Sequence, residues 1–216
     1  SRVATLAVRP IFSAAASAFP APADRLAART RLSAFELPWD GAGGAPDVPR
    51  IAAAVGADGP GWSGAALFAD EGDGQLRPLG SSLRNRAVVG TALDILPPAS
   101  PLLIDRTSHL TLALASSDHA LASASLMALS QGANLALVGE ELIQFANAEP
   151  QGEGVWRLSH LLRGCAGTEA AIATHGTDEP FALVDPRLSR LDAAPPASLT
   201  TVLALGHGDR EPVAAA

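Results

Sequence analysis

The 216-residue chain has no lysine and no tyrosine, a single cysteine, and aromatic residues at only 4%. Each shortage excludes something. One cysteine, Cys165, rules out an intramolecular disulfide and a thiolate metal cluster. With neighbours Gly164 and Ala166 it reads as a small structural side chain rather than a nucleophile. Fifteen basic residues, all arginine, stand against 22 acidic ones and leave a formal net charge of -7. Without a basic run the chain lacks the electrostatic footprint of a nucleic-acid binder. No apolar run reaches the roughly 20 residues that span a bilayer, so no membrane insertion is expected. The chain opens at Ser1 on a strand-like VATLAV with no leader pattern, which reads as a piece of a longer protein.

What is abundant is alanine, within a hydrophobic content of 48%. Small side chains each bury little area, so a core built from them is spread over many contacts. Short apolar stretches separated by Gly, Pro and acidic turns point to a mainly β fold. The expected architecture is β-sandwich-like layers of short antiparallel strands with one short helix. Residues 1–36 read as a strand, Val3 to Val8, and an Ala/Pro-rich connector. Across the end of this segment, RLSAFEL from Arg31 to Leu37 alternates as an edge strand stopped by Pro38. Residues 37–107 read as a β module. Its clearest part is a hairpin, Ala65 to Ala69 and Gln75 to Leu79, around the acidic turn Asp70 to Gly74. Arg86 to Leu93 adds a further strand. Residues 108–186 read as a meander module, and 187–216 as a C-terminal extension with one apolar run, Leu199 to Leu205, and a loop-like tail.

Within the third segment, SHLTLALA from 108 to 115 alternates as a strand. Ser117 or Asp118 is placed to cap a helix over Ala120 to Leu129, with Gly132 as its left-handed terminator. Leu135 to Val138, Glu141 to Asn147 and Val155 to Leu162 then form a three-stranded meander. Its first turn is the Gly139-Glu140 pair suited to type II′ geometry. On the third strand, strict alternation puts Trp156, Leu158, His160 and Leu162 on one face. Glu140 and Glu141, adjacent on extended chain, diverge and read as a solvated turn rather than a catalytic carboxylate pair.

The loop after this meander, RGCAGTE, concentrates the residues that could carry chemistry. Gly164 and Gly167 permit sharp turns. Arg163, Thr168, Glu169 and His175 then read as a structural loop clamp, with Arg163 bonded to Glu169 or to nearby carbonyls. A hydrolase using Glu169 and His175 is the competing reading, without a nucleophile elbow, HExxH or phosphate loop to support it. The five histidines are scattered singly, so no metal or other cofactor is implied. The acidic loop at Asp70, Glu71 and Asp73 lacks the bidentate glutamate of a calcium site. Trp156 falls among core leucines. Trp39 and Trp62, in Gly/Pro-rich loops, are candidate glycan contacts.

The order GANLALVGEELIQFANAE, GVWRLSHLLRGCAGTE, HG and FALVD resembles the C-terminal region of the large tail-tip proteins of gene transfer agents and siphophages. These are the megatron-type "host specificity" or baseplate hub proteins. The resemblance covers most of residues 31 to 186 and is dense after Gly132. It implies a mainly β structural module at the distal end of a phage-like tail, made in the bacterial cytoplasm and built into the particle. The implied partners are other tail-tip and baseplate proteins, with host-envelope contact. A module recognising host surface polysaccharide is the alternative, and the hydrolase the third reading. The barrel-like enzymatic region of that family is outside this chain. Cys165 departs from the family's usual polar residue, which loosens the expectation of a fixed arginine cluster in the loop.

Overall fold

The structure, a computed structural model, describes residues 28–37, 50–59, 61–73, 75–82, 86–191 and 201–215. The expected strand at Val3 to Val8, most of the Ala/Pro-rich connector and Trp39 lie outside the described residues. Two small sheets form the sandwich-like layers. In one, β1 (Thr30–Leu37) pairs antiparallel with β2 (Arg50–Ala57), whose other edge takes the two-residue β11 (Ser189–Arg190). β1 is an edge strand, as its alternation predicts. In the other, the hairpin β3 (Ala65–Asp70) and β4 (Leu76–Ser82) is extended by β12 (Thr201–Gly206) and β13 (Val213–Ala214). The tail expected to be loop-like thus supplies a short strand, because β12 leaves one edge free for it.

The layers meet over Leu32, Ala53, Val55, Leu67, Leu191, Val202 and Ala204. Five of the buried residues of β2 are Ala or Gly, so the two sheets approach closely, as an alanine-rich sequence allows. Where that core is thin, Trp62 fills it.

The remaining strands close into a six-stranded antiparallel barrel. They are β5 (Val89–Ala92), β6 (Asp105–Leu114), β7 (Leu135–Val138), β8 (Glu141–Gly152), β9 (Val155–Leu162) and β10 (Pro180–Leu183). Their order round the barrel is β10-β5-β6-β9-β8-β7, and β7 pairs back to β10. Closure removes every free edge from this sheet. The interior is filled by Leu110, Leu112, Ile143, Phe145, Leu158, Leu161 and Phe181, all 0% exposed. β7, β8 and β9 are the meander read from sequence. Val138 faces Glu141 across the two-residue turn, and Gly139 has φ +56, the sign a type II′ turn requires there.

Two details depart from the sequence reading. His160 has φ +56, which breaks the alternation of β9, so Leu161 and not Leu162 returns to the core beside Leu158. The helix, α1, spans only Leu126–Ser130 and is capped by Ser125, which accepts from the Ala128 amide at 3.2 Å. Residues 120–124 are not helical, because hydrogen-bonding groups of Ala122, Ser123 and Ala124 serve Asn134 and β8 instead. The Ala124 amide donates to Ala146 O at 2.8 Å, Ser123 Oγ accepts from the Ala148 amide at 3.0 Å, and Ala122 O accepts from Asn134. Tertiary pairing outweighs alanine's helix propensity there. Gly132, φ +88, ends the helix as expected.

Alternating directions put the β5–β6, β7–β8 and β9–β10 connections at one mouth of the barrel. The barrel rests on the sandwich through Ala54 of β2 against Ala87, Val89, Leu137, Leu142 and Ala182.

The β5–β6 seam is tight enough to test. A Cβ on Gly90 falls 2.4 Å from Ala113 O, a backbone atom that cannot swing aside, whereas one on Gly176 meets nothing within 4 Å. Gly90→Ala is expected to destabilise the chain by about 1–3 kcal/mol in urea unfolding, the usual range for overpacking. Gly176→Ala should leave the midpoint close to that of the parent.

Candidate functional site

Groups from all three connections converge at that mouth: charged side chains from the β7–β8 and β9–β10 ends and a backbone carbonyl from β5–β6. Glu141, the first residue of β8, is 0% exposed, and Arg163, directly after β9, is 2% exposed. Their register fixes the encounter: β8 and β9 pair up to Gln144 and Leu162, so both chains leave the ladder side by side. Arg163 grips the carboxylate with Nε to Oε1 at 2.9 Å and Nη2 to Oε2 at 2.7 Å, the bidentate geometry that favours arginine over lysine. Nη1 donates to the Pro97 carbonyl at 2.7 Å, in the β5–β6 connection. The Gly164 amide reaches Glu141 Oε1 at 2.6 Å. Gly164 sits at φ +59, and a Cβ there would lie 2.9 Å from Glu169 Cα and from Ile172 Cδ1, so glycine is required.

His175 completes the cluster. Its Nε2 lies 2.6 Å from Glu141 Oε2 and its Nδ1 2.6 Å from Glu179 Oε2. Both partners are carboxylates, so both ring nitrogens donate and the ring is an imidazolium. The Glu141 hydrogen bond is the main force raising the His175 pKa, working against burial, with Glu179 adding to it. For Glu141, burial opposes ionisation, but the bonds from His175, Arg163 and Gly164 outweigh it and lower its pKa. Asp105, at the start of β6, has the same balance. Burial opposes its charge, and hydrogen bonds from Ser108 and Thr107 hold its carboxyl at about 2. Its Oδ2 lies 4.0 Å from Arg163 Nη1.

Of the residues singled out from sequence, the structure brings Arg163, Gly164, Thr168 and His175 together. Thr168 Oγ1 accepts from the Leu142 amide at 3.0 Å and donates to Cys165 O at 2.9 Å, tying the loop to β8. Gly167, φ +93, serves the turn. Glu169 is the correction: it is exposed and is a partner of neither Arg163 nor His175. Glu141 takes its place, so the reading of Glu141 as part of a solvated turn is also overturned, while Glu140 is exposed. Glu179 and Asp105 were not singled out either. Trp62 is corrected as well. It is 9% exposed and its Nε1 donates to Thr30 Oγ1 at 3.0 Å, so it pins a loop to the sandwich core instead of offering a surface ring.

This arrangement has little chemistry to spare. Glu141 accepts from three different residues and has no solvent access, which leaves it no lone pair with which to act as a base. Burial, and then the Glu141 charge, push the Cys165 thiol up, away from the reactive thiolate. A second polar group, Ser116, Asp118 and His119, has the residue types of a triad but not its connections. Ser116 Oγ donates to Asp118, and His119 Nε2 accepts from Arg86 Nε at 3.2 Å. Arg86 also donates to Gly59 O at 2.6 Å and pairs with Asp118, so it is a staple between sandwich and barrel. Among the described residues no group of three or more His, Cys, Asp or Glu side chains could hold a metal ion. No helix among them is long and apolar enough to cross a membrane.

The site and fold define a plugged β-barrel leaning on a small sandwich, with its buried charges spent on one another. Residues 87–182, which span the barrel almost strand for strand, match the family described as Rcc01698-like, C-terminal. No curated protein matches the chain.

Removing one charge from a buried pair strands the other, at a typical cost of about 3–5 kcal/mol. Glu141→Gln is therefore expected to lower stability by that order in urea unfolding. Glu169→Gln, at an exposed position, should change it by no more than about 0.5 kcal/mol. The reverse ranking would restore the Arg163–Glu169 pairing.

The cluster also sets a pH dependence. His175 has a folded pKa above its ordinary 6.5, so its contribution is full below 6.5 and is lost as pH rises through the raised value. Glu141 is lowered from 4.5, so its contribution is full above 4.5 and is lost as pH falls through the lowered value. Stability should decline on both sides of the window from 4.5 to 6.5. His175→Gln should flatten the alkaline limb, which thermal melts across pH would show.

Proposed function

We propose that the chain is a non-enzymatic structural module of a phage-like, gene-transfer-agent type tail tip or baseplate, contributing to tail assembly and to contact with the host envelope. The observation that carries this reading is a coincidence of extents. The stretch resembling tail-tip proteins most densely, from Gly132 on, is the one that builds the plugged mouth, and the barrel as a whole is the part matching the Rcc01698-like C-terminal family. The chemistry supports the same reading. The best-organised polar cluster is saturated by internal bonds and serves rigidity, which is what a module under mechanical load in an assembly needs. The partners are then neighbouring tail-tip or baseplate proteins, and the location is the particle.

Antibody raised against the barrel should decorate the tail end of purified particles in immunogold electron microscopy. Particles lacking residues 132–185 of the chain should lose their tail tip. Undecorated wild-type particles, or intact infectious particles from the deletion, would overturn the proposal.

A further inference from the structure

The β5–β6 connection, residues 93–104 (LDILPPASPLLI), holds a single charged side chain, Asp94, which accepts from the Thr111 amide at 2.9 Å. The ten residues from Ile95 to Ile104 carry no charge. The loop is anchored firmly. Leu93 N donates to Thr111 O at 2.8 Å, Leu96 is 1% exposed, Arg163 holds the Pro97 carbonyl, and Ser100 Oγ accepts from the Leu102 amide at 3.2 Å. Pro97, Pro98 and Pro101 restrict it further. Yet Leu102 is 88% and Leu103 68% exposed, and Leu93 and Ile95 of the same connection are more than half exposed.

We infer that this loop is a preformed docking knob, seated in an apolar concavity of a neighbouring protein in the assembly. A flexible loop with two bare leucines would lose much entropy on binding, whereas one already fixed loses little. The exposed side chains together present on the order of 400 Å² of apolar surface, the size at which a patch on a monomer becomes functional. A tip-to-tip contact with a second copy would bury only about half of the roughly 800 Å² per partner that a stable interface requires. The knob is thus the anchor of a larger contact with a different surface. A lipid surface is the poorer fit. Loops that settle on anionic membranes are reinforced by basic residues, and this one has none within it, in a chain of net charge -7. The ten residues from Ile95 to Ile104 are uncharged and project exposed leucines, and a protein groove lined by apolar side chains complements both properties.

The identity of the neighbour rests on the tail-tip reading, and the test separates the two. Particles are purified from cells making the wild-type chain or the Leu102→Asp/Leu103→Asp variant, and the chain is quantified by mass spectrometry. The expected result is a loss of at least tenfold of the variant chain from particles, with the purified variant melting at the wild-type temperature. A lower melting temperature transfers the same reading to Leu102→Ser/Leu103→Ser. Variant chain as abundant in particles as wild type overturns the knob and leaves the tail-tip role standing. Wild-type chain absent from particles overturns the tail-tip role and the assembly neighbour with it. Two controls use the purified chain. A wild-type dimer in sedimentation velocity that the variant lacks, or flotation of wild type but not variant on phosphatidylethanolamine/phosphatidylglycerol vesicles, overturns the protein groove in favour of a second copy or a membrane.

Discussion

The Glu141 carboxylate, gripped by Arg163 and bridged by His175, is the contact on which the barrel mouth depends. All three connections that close that end reach it, directly or through Arg163. The β7–β8 turn delivers it, the β9–β10 connection sends Arg163, the Gly164 amide and His175 to it, and through Arg163 it is linked to the β5–β6 connection. Beneath it lies the last layer of the apolar core, with Val138, Leu161 and Phe181 all 0% exposed. A two-residue turn cannot cover that layer, so the longer β9–β10 connection must fold over it and be held there. Its two short 3-10 turns, Cys165–Gly167 and Glu169–Ala173, bury only Ala171 and Ile172. Hydrophobic burial alone gives them little hold.

A plug made of charges is not the most stabilising choice per unit volume, since burying ions costs desolvation that an apolar plug avoids. What it adds is direction. Apolar side chains tolerate sliding, but a carboxylate with donors on both oxygens accepts one arrangement of three loops. The charges also balance locally: Arg163 and His175 are positive, Glu141 and Glu179 negative, and the nearby Asp105 has its own backbone and hydroxyl donors. Arg86 has a similar role at lower stakes, since it holds barrel to sandwich at a half-exposed seam.

Much of this was legible in the sequence. The Gly139-Glu140 turn and the Gly/acidic hairpin tip at Asp70 carry their own local chemistry, and both fall where expected. The loop clamp was legible as residue types, because an arginine followed by glycine needs a fixed acceptor. Arg163 does hold a carbonyl, that of Pro97, but its carboxylate partner was misassigned, for a physical reason. Glu169 is near in sequence, but Arg163 bonds Glu141, which lies beyond the end of the β8–β9 ladder at Gln144 and Leu162, and that distance of 22 positions is invisible to local spacing. Alternation did hold the clue, since Glu141 starts a strand whose odd positions, Ile143 and Phe145, fill the core. The closure of the strands into a barrel depends on β10 returning to both β5 and β7, a long-range pairing that no local pattern encodes. The helix was shortened because Ser123 and Ala124, in a stretch that favours helix locally, are worth more as hydrogen-bond partners of β8.

Arg163 connects the interior of the barrel to its surface. One side of its guanidinium faces Glu141 and the other the Pro97 carbonyl, so a single rigid plane fixes both the plug and the rising limb of the β5–β6 connection. Lysine would supply the charge without the fork and could satisfy only one of these directions well. The apolar loop beyond Pro97 is therefore positioned by the same bonds that seal the mouth, and its geometry is only as fixed as they are. Whatever loosens Glu141, by protonation or by loss of the His175 charge, relaxes the anchor of Pro97 as well. The mouth and the exposed leucines are thus one mechanical unit, in which buried charge sets the position of a surface that carries none.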